Sequence, residues 1–290
     1  MIASLSAATP VLIQGITGRM GRTHTALMRR YGTNIVGGVS ARGDVSEVDD
    51  VPVFPDCASA VAATGAVASV LLVPPDDTRA AAEQALSAGI SLIVTLAEGV
   101  TAHDALAIGR AARAAAATWV GPSTPGLAIP GVMKLGFLPD VTLHPGPLGL
   151  MSKSGTLSYE VGYRLGRVGL GQSLWVGVGG DAVKGVRFAD LLEPFFAHGP
   201  TRGIVLVGEV GGTEEEECAE AYARLGAQKP LYALIAGREA KEGVAMGHAG
   251  ALTFGDSGTL AAKTARLKAA GAQVFETMET LVQACRRDFA

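Results

Sequence analysis

The sequence predicts two α/β domains in series, each a parallel sheet covered by helices on both faces. Three observations carry that prediction. Short apolar runs of strand length recur along the whole chain, Ala-rich or polar stretches of helical length separate them, and a proline-dense stretch interrupts the alternation near the middle. At 290 residues the chain is long enough for two domains that each bury a core of their own.

In the first half the apolar runs fall at residues 11–14, 35–39, 67–73, 90–95 and 118–120, with helical stretches such as 80–88 and 104–117 between them. The runs are mainly apolar rather than strictly alternating, as expected of strands buried on both faces of a parallel sheet. Residues 1–125 therefore read as a doubly wound domain. From 121 to 147 the chain carries Pro122, Pro125, Pro130, Pro139, Pro145 and Pro147, too many for a helix interior or a central strand. A Pro-rich linker is accordingly expected at 126–146. Alternation resumes with strands at 148–151, 173–178, 203–208, 231–236 and 273–275, and helices at 156–167, 188–196, 214–225, 260–270 and 279–287. Residues 147–290 read as a second open parallel domain with flavodoxin-like winding.

Composition excludes several classes of function. Net charge is −3 and no basic stripe or run of Lys and Arg is present, so nucleic acid is not an expected partner. No apolar run approaches the roughly 18 residues of a membrane span, and residues 1–10 lack the pattern of a signal peptide, so a cytoplasmic location is expected. Cys57, Cys218 and Cys285 are odd in number and far apart, as expected of buried, reduced thiols. No metal site is expected in this chain.

The first strand breaks into G15-I-T-G-R-M-G21. Such a turn between a strand and a helix lets backbone approach a ligand closely, and the helix N-terminus favours phosphate. A nicotinamide dinucleotide and the ADP part of coenzyme A both offer suitable phosphates. A dinucleotide site usually has a carboxylate at the end of the second strand to hold the ribose hydroxyls, but here that strand ends G37-G-V-S-A-R-G43, with no acid before Asp44. NAD is thereby disfavoured. Arg42 suits a phosphate on ribose, as in NADP or in the 3′-phosphate of coenzyme A. The turn alone leaves open an NADP-dependent reductase, a CoA protein, and a tight β-α turn with no ligand.

The second half supplies further polar clusters, each bounded by small residues: S152-K-S-G-T-L-S-Y-E160, G177-V-G-G-D181, G208-E-V-G-G-T-E-E-E-E217 and M246-G-H-A-G-A251. The last sets His248 among small neighbours, which leave room for a group to be added to its ring. In this order behind Q14-G-I-T-G18, and with Y31-G-T-N-I-V-G-G-V39, L92-I-V-T-L-A-E-G-V100 and G121-P-S-T-P-G126, the clusters closely resemble the α-subunit family of succinate–CoA ligase. The likeness covers nearly the whole length.

The resemblance implies a Rossmann-like, CoA-binding first domain and a ligase domain bearing a histidine that is phosphorylated in turnover. It places Thr17, Gly18, Arg19, Met20, Leu96, Ala97 and Glu98 at the CoA site, with Arg42 at or near the position of a CoA-binding lysine. It makes His248 the phosphorylated residue, Glu209 the carboxylate that orients it, and Tyr159 a substrate contact. The types suit the chemistry, because imidazole is nucleophilic near neutral pH and a carboxylate on one nitrogen fixes the tautomer of the other. Backbone N–H groups at Ser154, Gly155 and Thr156, at a predicted helix start, suit phosphate oxygens. Lys153 either adds charge there or is a solvated loop lysine.

The chain lacks a G-x-x-x-x-G-K-[ST] loop, so ATP or GTP with Mg²⁺ is expected on a β subunit with an ATP-grasp domain, in an αβ or α2β2 assembly. Where the family commonly reads G-G-D-P-I-P-G-S-N-F, this chain reads G179-G-D-A-V-K-G-V-R-F188, and Ser123 stands for the usual asparagine. The charges of Lys184 and Arg187 either favour a more acidic substrate, such as malate or citrate, or are solvated. The expected activity is thus an acid–CoA ligase subunit acting on a di- or tricarboxylate. A non-catalytic CoA-binding protein is the non-enzymatic alternative.

Overall fold

The computed structural model describes residues 1–290 except 41, 42, 44, 240–247 and 249–257. The described residues form two compact units, Met1–Leu138 with Val183–Gly185, and Pro139–Ala182 with Val186–Ala290.

The first unit runs β1 (Val11–Gln14), α1 (Arg19–Tyr31), β2 (Ile35–Val39), β3 (Glu47–Val48), β4 (Val51–Phe54), α2 (Cys57–Thr64), β5 (Ala68–Leu71), α3 (Pro75–Ser87), β6 (Leu92–Thr95), α4 (Ala102–Ala114) and β7 (Thr118–Val120). Its strands lie in the order β3-β4-β2-β1-β5-β6-β7. All neighbours are parallel except the short β3, which pairs antiparallel to β4. Setting β3 aside, the spatial order is third, second, first, fourth, fifth, sixth, the doubly wound Rossmann order. Every residue of β1, β5 and β6 is buried, Gln14, Ser69 and Thr95 included, which accounts for their mainly apolar sequence.

Helix starts follow local chemistry. Asp56 Oδ1 accepts from Ser59 N at 2.7 Å to cap α2, Pro75 opens α3, and Thr101 Oγ1 accepts from Asp104 N at 3.1 Å to cap α4. Cys57 lies in the core with Leu12, Leu71, Ile93, Ile108 and Trp119, and burial pushes its thiol up to about 12.

The segment 126–146, expected as a linker, instead contains an antiparallel hairpin of β8 (Gly126–Ile129) and β9 (Met133–Gly136). Its prolines avoid the ladder: Pro125 precedes β8, Pro130 sits in the turn, and Pro139 follows β9. The hairpin is tied to the end of α1. Thr33 Oγ1 donates to Lys134 O at 2.7 Å, and Gly136 N donates to Met28 Sδ at 3.3 Å.

The second unit runs β10 (Pro145–Ser152), α5 (Gly155–Arg167), β11 (Gln172–Gly177), α6 (Phe188–Ala197), β12 (Gly203–Glu209), α7 (Glu214–Arg224), β13 (Leu231–Ala236), α8 (Leu260–Ala269), β14 (Gln273–Phe275) and α9 (Met278–Phe289). These five strands are parallel and lie in the order β14-β13-β12-β10-β11. Numbered within the unit this is 5-4-3-1-2, the flavodoxin-like winding. Pro145 and Pro147 occupy the irregular start of β10, where the register with β11 shifts. Cys218 and Cys285 are buried like Cys57, and none of the three is in a disulfide. Among the described residues no helix is long and apolar enough to cross a membrane.

The C-terminal helix α9 is pinned to β13. Asp288 accepts from Tyr232 Oη at 2.6 Å and from Arg287 Nε at 2.7 Å, and these two bonds, Arg287 first, hold its carboxyl down at about 2. A depressed carboxyl pKa stabilises the fold above the ordinary value of 3.8, and that contribution is lost as pH falls through about 2. Asp288→Ala should therefore lower stability by about 1 kcal/mol at neutral pH, the scale of a partly exposed charged hydrogen bond. Urea titrations of both proteins at successively lower pH should show the difference narrowing in acid; a constant difference would contradict the assignment.

Candidate active site

In a doubly wound sheet a crevice opens at the carboxyl ends of the two strands where the winding reverses. In the first unit these are β1 and β5, neighbours in the sheet. Gly15 follows β1 with φ of +80°, and a Cβ there would lie 2.5 Å from Leu72 O. A Cβ on Gly21 would lie 2.1 Å from Gly15 O, so only glycine lets α1 start this close to the strand. Gly18 caps α1 without a side chain, and the first turn carries no acid. The opening N–H groups and the dipole of this helix thus favour an anion in the crevice.

The crevice has two lobes. One, of about 390 Å³, is lined by Gly18, Arg19 and Met20 on α1, by Leu71 to Pro74, and by Leu96, Ala97 and Phe137. The other, of about 500 Å³, includes Gly15, Thr17, Gly18, Ser40, Asp77 and Gln84. Thr17 Oγ1 and Ser40 Oγ are 3.1 Å apart, which ties the glycine turn to the end of β2. Of the residues the sequence assigned to this site, Thr17, Gly18, Arg19, Met20, Leu96 and Ala97 are brought together. Glu98 is exposed, after β6, and does not appear among the residues lining either lobe. Arg42 lies outside the described residues. Leu72, Val73, Pro74 and Phe137 were not anticipated. The first three follow the strand that neighbours β1, so the reversal of winding was the signal for them.

The second unit has its own reversal between β10 and β12, which are adjacent and parallel. Glu209 is the last residue of β12, and its Oε2 lies 2.6 Å from His248 Nδ1. The side chains are 11% and 32% exposed, so the carboxylate is largely withdrawn from water while the ring reaches it. The contact suits the tautomer with the proton on Nδ1, donating to a carboxylate oxygen, and the ring lone pair on Nε2. Gly180 makes room for the ring: a Cβ there would lie 2.5 Å from His248 Cγ. The G177-V-G-G-D181 cluster therefore has a steric role beside the histidine.

After β10 the chain passes through Lys153 into α5. Ser154 Oγ accepts from Leu157 N at 3.2 Å as the N-cap, and Gly155 and Thr156 open the helix. Tyr159, on the next turn, is half-buried with its ring 6.1 Å from that of Trp175, and burial raises its hydroxyl pKa. Lys153 is not a solvated loop lysine. It is 6% exposed and lies 2.9 Å from Glu215 Oε1 and 3.6 Å from Glu214 Oε2. Burial opposes its charge, but the two carboxylates outweigh burial and hold its pKa above the ordinary value.

Arg187 pairs with Glu217 at 2.6 Å and starts α6, where its N–H donates to Asp190 Oδ2 at 2.9 Å. Lys184 lies in the three-residue segment that belongs to the first unit. Among the described residues no group of three or more His, Cys, Asp or Glu side chains is arranged to hold a metal.

Replacing Gly180 by Ala should displace the imidazole from Glu209, because the added methyl occupies the position of the ring. The ¹⁵N resonances of His248 should then move from a proton fixed on Nδ1 toward the mixed tautomers of a solvated histidine. Unchanged resonances would mean that the glycine does not seat the ring.

Comparison with known proteins agrees with both halves. Residues 6–99 match the CoA binding domain family and residues 151–273 match the CoA-ligase family. The succinate–CoA ligase (ADP-forming) subunit alpha 1 of Archaeoglobus fulgidus is 43% identical over 279 residues, 96% of this chain and 95% of that protein. The ADP-forming sulfoacetate-CoA ligase subunit SauD of Bilophila wadsworthia is 40% identical over 267 residues, 91% of each chain. Among solved structures, ATP citrate lyase from Methanothrix soehngenii in complex with citrate and coenzyme A superposes with a TM-score of 0.83 at 22% identity. It covers 98% of this chain and 50% of that one, a likeness of fold. With nearly full-length identity above two-fifths, and both domains matched in order, this chain belongs to the succinate–CoA ligase α-subunit family and is the CoA-binding α-type subunit of an acid–thiol ligase.

Proposed function

We propose that this subunit makes the CoA thioester of a small dicarboxylic acid, succinate in the first instance, through a phosphohistidine at His248 and an acyl phosphate. The observation that carries the reading is the 2.6 Å contact between His248 Nδ1 and Glu209. The contact supports a tautomer with the proton on Nδ1 and the nucleophilic lone pair on Nε2, with Glu209 offsetting the positive charge that grows on the ring as Nε2 takes a phosphoryl group. His248 then passes the phosphoryl group to a carboxylate oxygen of the substrate. Attack of the CoA thiolate on the resulting acyl phosphate releases phosphate and forms the thioester. The N–H groups that open α5 at Gly155 and Thr156, capped by Ser154, are suited to phosphate oxygens, and Tyr159 on the same helix is assigned to substrate contact.

The crevice of the first unit fits coenzyme A. The N–H groups of α1 and the hydroxyls of Thr17 and Ser40 suit the phosphates, and the lobe walled by Met20, Leu72, Val73 and Phe137 suits an apolar arm. Thr17, Gly18, Arg19, Met20, Leu96 and Ala97 are the residues proposed to hold it. Arg42 is retained as a candidate for the 3′-phosphate.

The nucleotide and Mg²⁺ are proposed to reside on a β subunit with an ATP-grasp domain. The ADP-forming relatives favour ATP. Arg187 is paired with Glu217, so its charge gives little support to a tricarboxylate.

With a cognate β subunit, labelled ATP should place acid-labile phosphate on His248, and His248→Ala should abolish it. Glu209→Gln should slow labelling about 100-fold or more while leaving CoA affinity unchanged. Labelling that persists in His248→Ala would overturn the assignment. Calorimetry with CoA and with NADPH separates a ligase from a reductase, since NADPH binding without CoA binding would reverse the reading. A panel of succinate, malate, citrate and sulfoacetate then identifies the acid, with succinate expected to give the highest kcat/KM.

A further inference from the structure

The run E214-E-E-E217 is not explained by the chemistry above, although it opens α7 directly beyond the Glu209 strand end. Acidic residues in a first turn favour the helix dipole, but these side chains are not a solvated face. Glu215 is 0% exposed and its carboxylate holds together three segments of the site. Its Oε1 accepts the backbone N–H of Glu209 at 3.0 Å. Lys153, in the loop between β10 and the Ser154 cap, donates to it from Nζ at 2.9 Å. Lys263, on α8, the first described helix after His248, donates to Oε2 and also to Glu216 Oε2 at 3.1 Å and Gly212 O at 2.9 Å. Glu214 extends the same turn to the start of α6, where its Oε1 accepts from Phe188 N at 3.1 Å.

The backbone makes way for this carboxylate. A Cβ on Gly208 would lie 2.6 Å from Glu215 Oε1, so the glycine beside Glu209 lets the buried acid reach the strand end. Two cations on one buried carboxylate are a costly way to gain stability alone, since the desolvation of three charges offsets most of their attraction. Their placement accounts for the expense. The charges meet where β12 ends, the α5 loop begins and the first turn of α8 lies.

We propose that Glu215, clamped by Lys153 and Lys263, is a positioning residue that fixes the backbone of Glu209 and so sets the Glu209 carboxylate on His248 Nδ1. The inference rests on the phosphohistidine reading. Glutamine at 215 has one acceptor oxygen for three donors, and its NH₂ must oppose an ammonium or the Glu209 amide. The ligase reconstituted with its β subunit tests this with Glu215→Gln and Lys263→Met, beside Glu209→Gln and His248→Ala.

Glu215→Gln should slow labelling of His248 roughly 10–100-fold, the range expected when a support of a reacting group is lost. The dissociation constant for CoA, read by calorimetry, should not change, because CoA is proposed to be held by the other unit. The His248 ¹⁵N resonances should move toward those of Glu209→Gln, a change that a purely stabilising ion pair would not produce. Lys263→Met, which leaves Lys153 on Glu215, should give a smaller change in the same direction, and it carries the test if Glu215→Gln does not fold. Wild-type labelling and unshifted resonances in a folded Glu215→Gln protein, or failing that in Lys263→Met, would overturn the proposal. If the wild type itself takes no label, the phosphohistidine reading fails, while the resonance comparison still decides whether Glu215 positions Glu209.

Discussion

Parallel pairing imposes one constraint from which both sites follow: every parallel strand ends at the same edge of its sheet, and the helix that follows it begins there. The edge therefore collects helix N–H groups and loop side chains, and a crevice opens where successive strands leave in opposite directions. Both units use that geometry with different side chains. In the first, glycine at positions 15 and 21 leaves bare backbone at the crevice, which suits a large anionic ligand. In the second, the strand end carries Glu209 and the crevice receives an imidazole.

The second site places charge where burial is expensive. Lys153, Lys263 and Glu215 are all below one-tenth exposed, and none would be tolerated alone. Together they satisfy one another, and their bonds run to backbone as well as to side chains, including the amide of Glu209 and the carbonyl of Gly212. A network of this kind restricts motion more than it adds stability, because each bond is short and has few alternatives. Preorganisation of that sort holds the Glu209 strand end in one position.

Much of the fold was legible because its signals are local. Mainly apolar runs identified the buried parallel strands, and the helix start expected at Ser154 to Thr156 is where α5 begins. The glycine turn and the histidine cluster were readable as chemistry, although naming their ligands needed the resemblance of the whole chain. The misses are of another kind. β3 and β4 are two and four residues long and joined through Asp49 and Asp50 at positive φ, so no periodicity could announce them. The hairpin at 126–136 hid behind prolines that stand beside its ladder rather than in it. Sequence alone leaves Lys153 open between a phosphate contact and a solvated loop lysine, because its partners are some 60 positions away, at Glu214 and Glu215. Side chains that act through sequence-distant partners leave no local trace, and Glu215 is the clearest case.

The excursion of Val183–Gly185 has a consequence for how the chain acquires its shape. Val183 packs against the first unit's core and Gly185 N donates to Gly121 O at 2.9 Å, at a place where a Cβ would come within 1.9 Å of Trp119 O. The first unit is thus discontinuous in sequence. As the chain emerges from the ribosome, residues 1–138 can pair all the strands of their sheet, yet the surface around Trp119 is completed only after β10, α5 and β11 have been made. The order of synthesis therefore requires the ligase half to begin before the CoA-binding half is finished, and a fragment cut at Leu138 would lack part of its own packing.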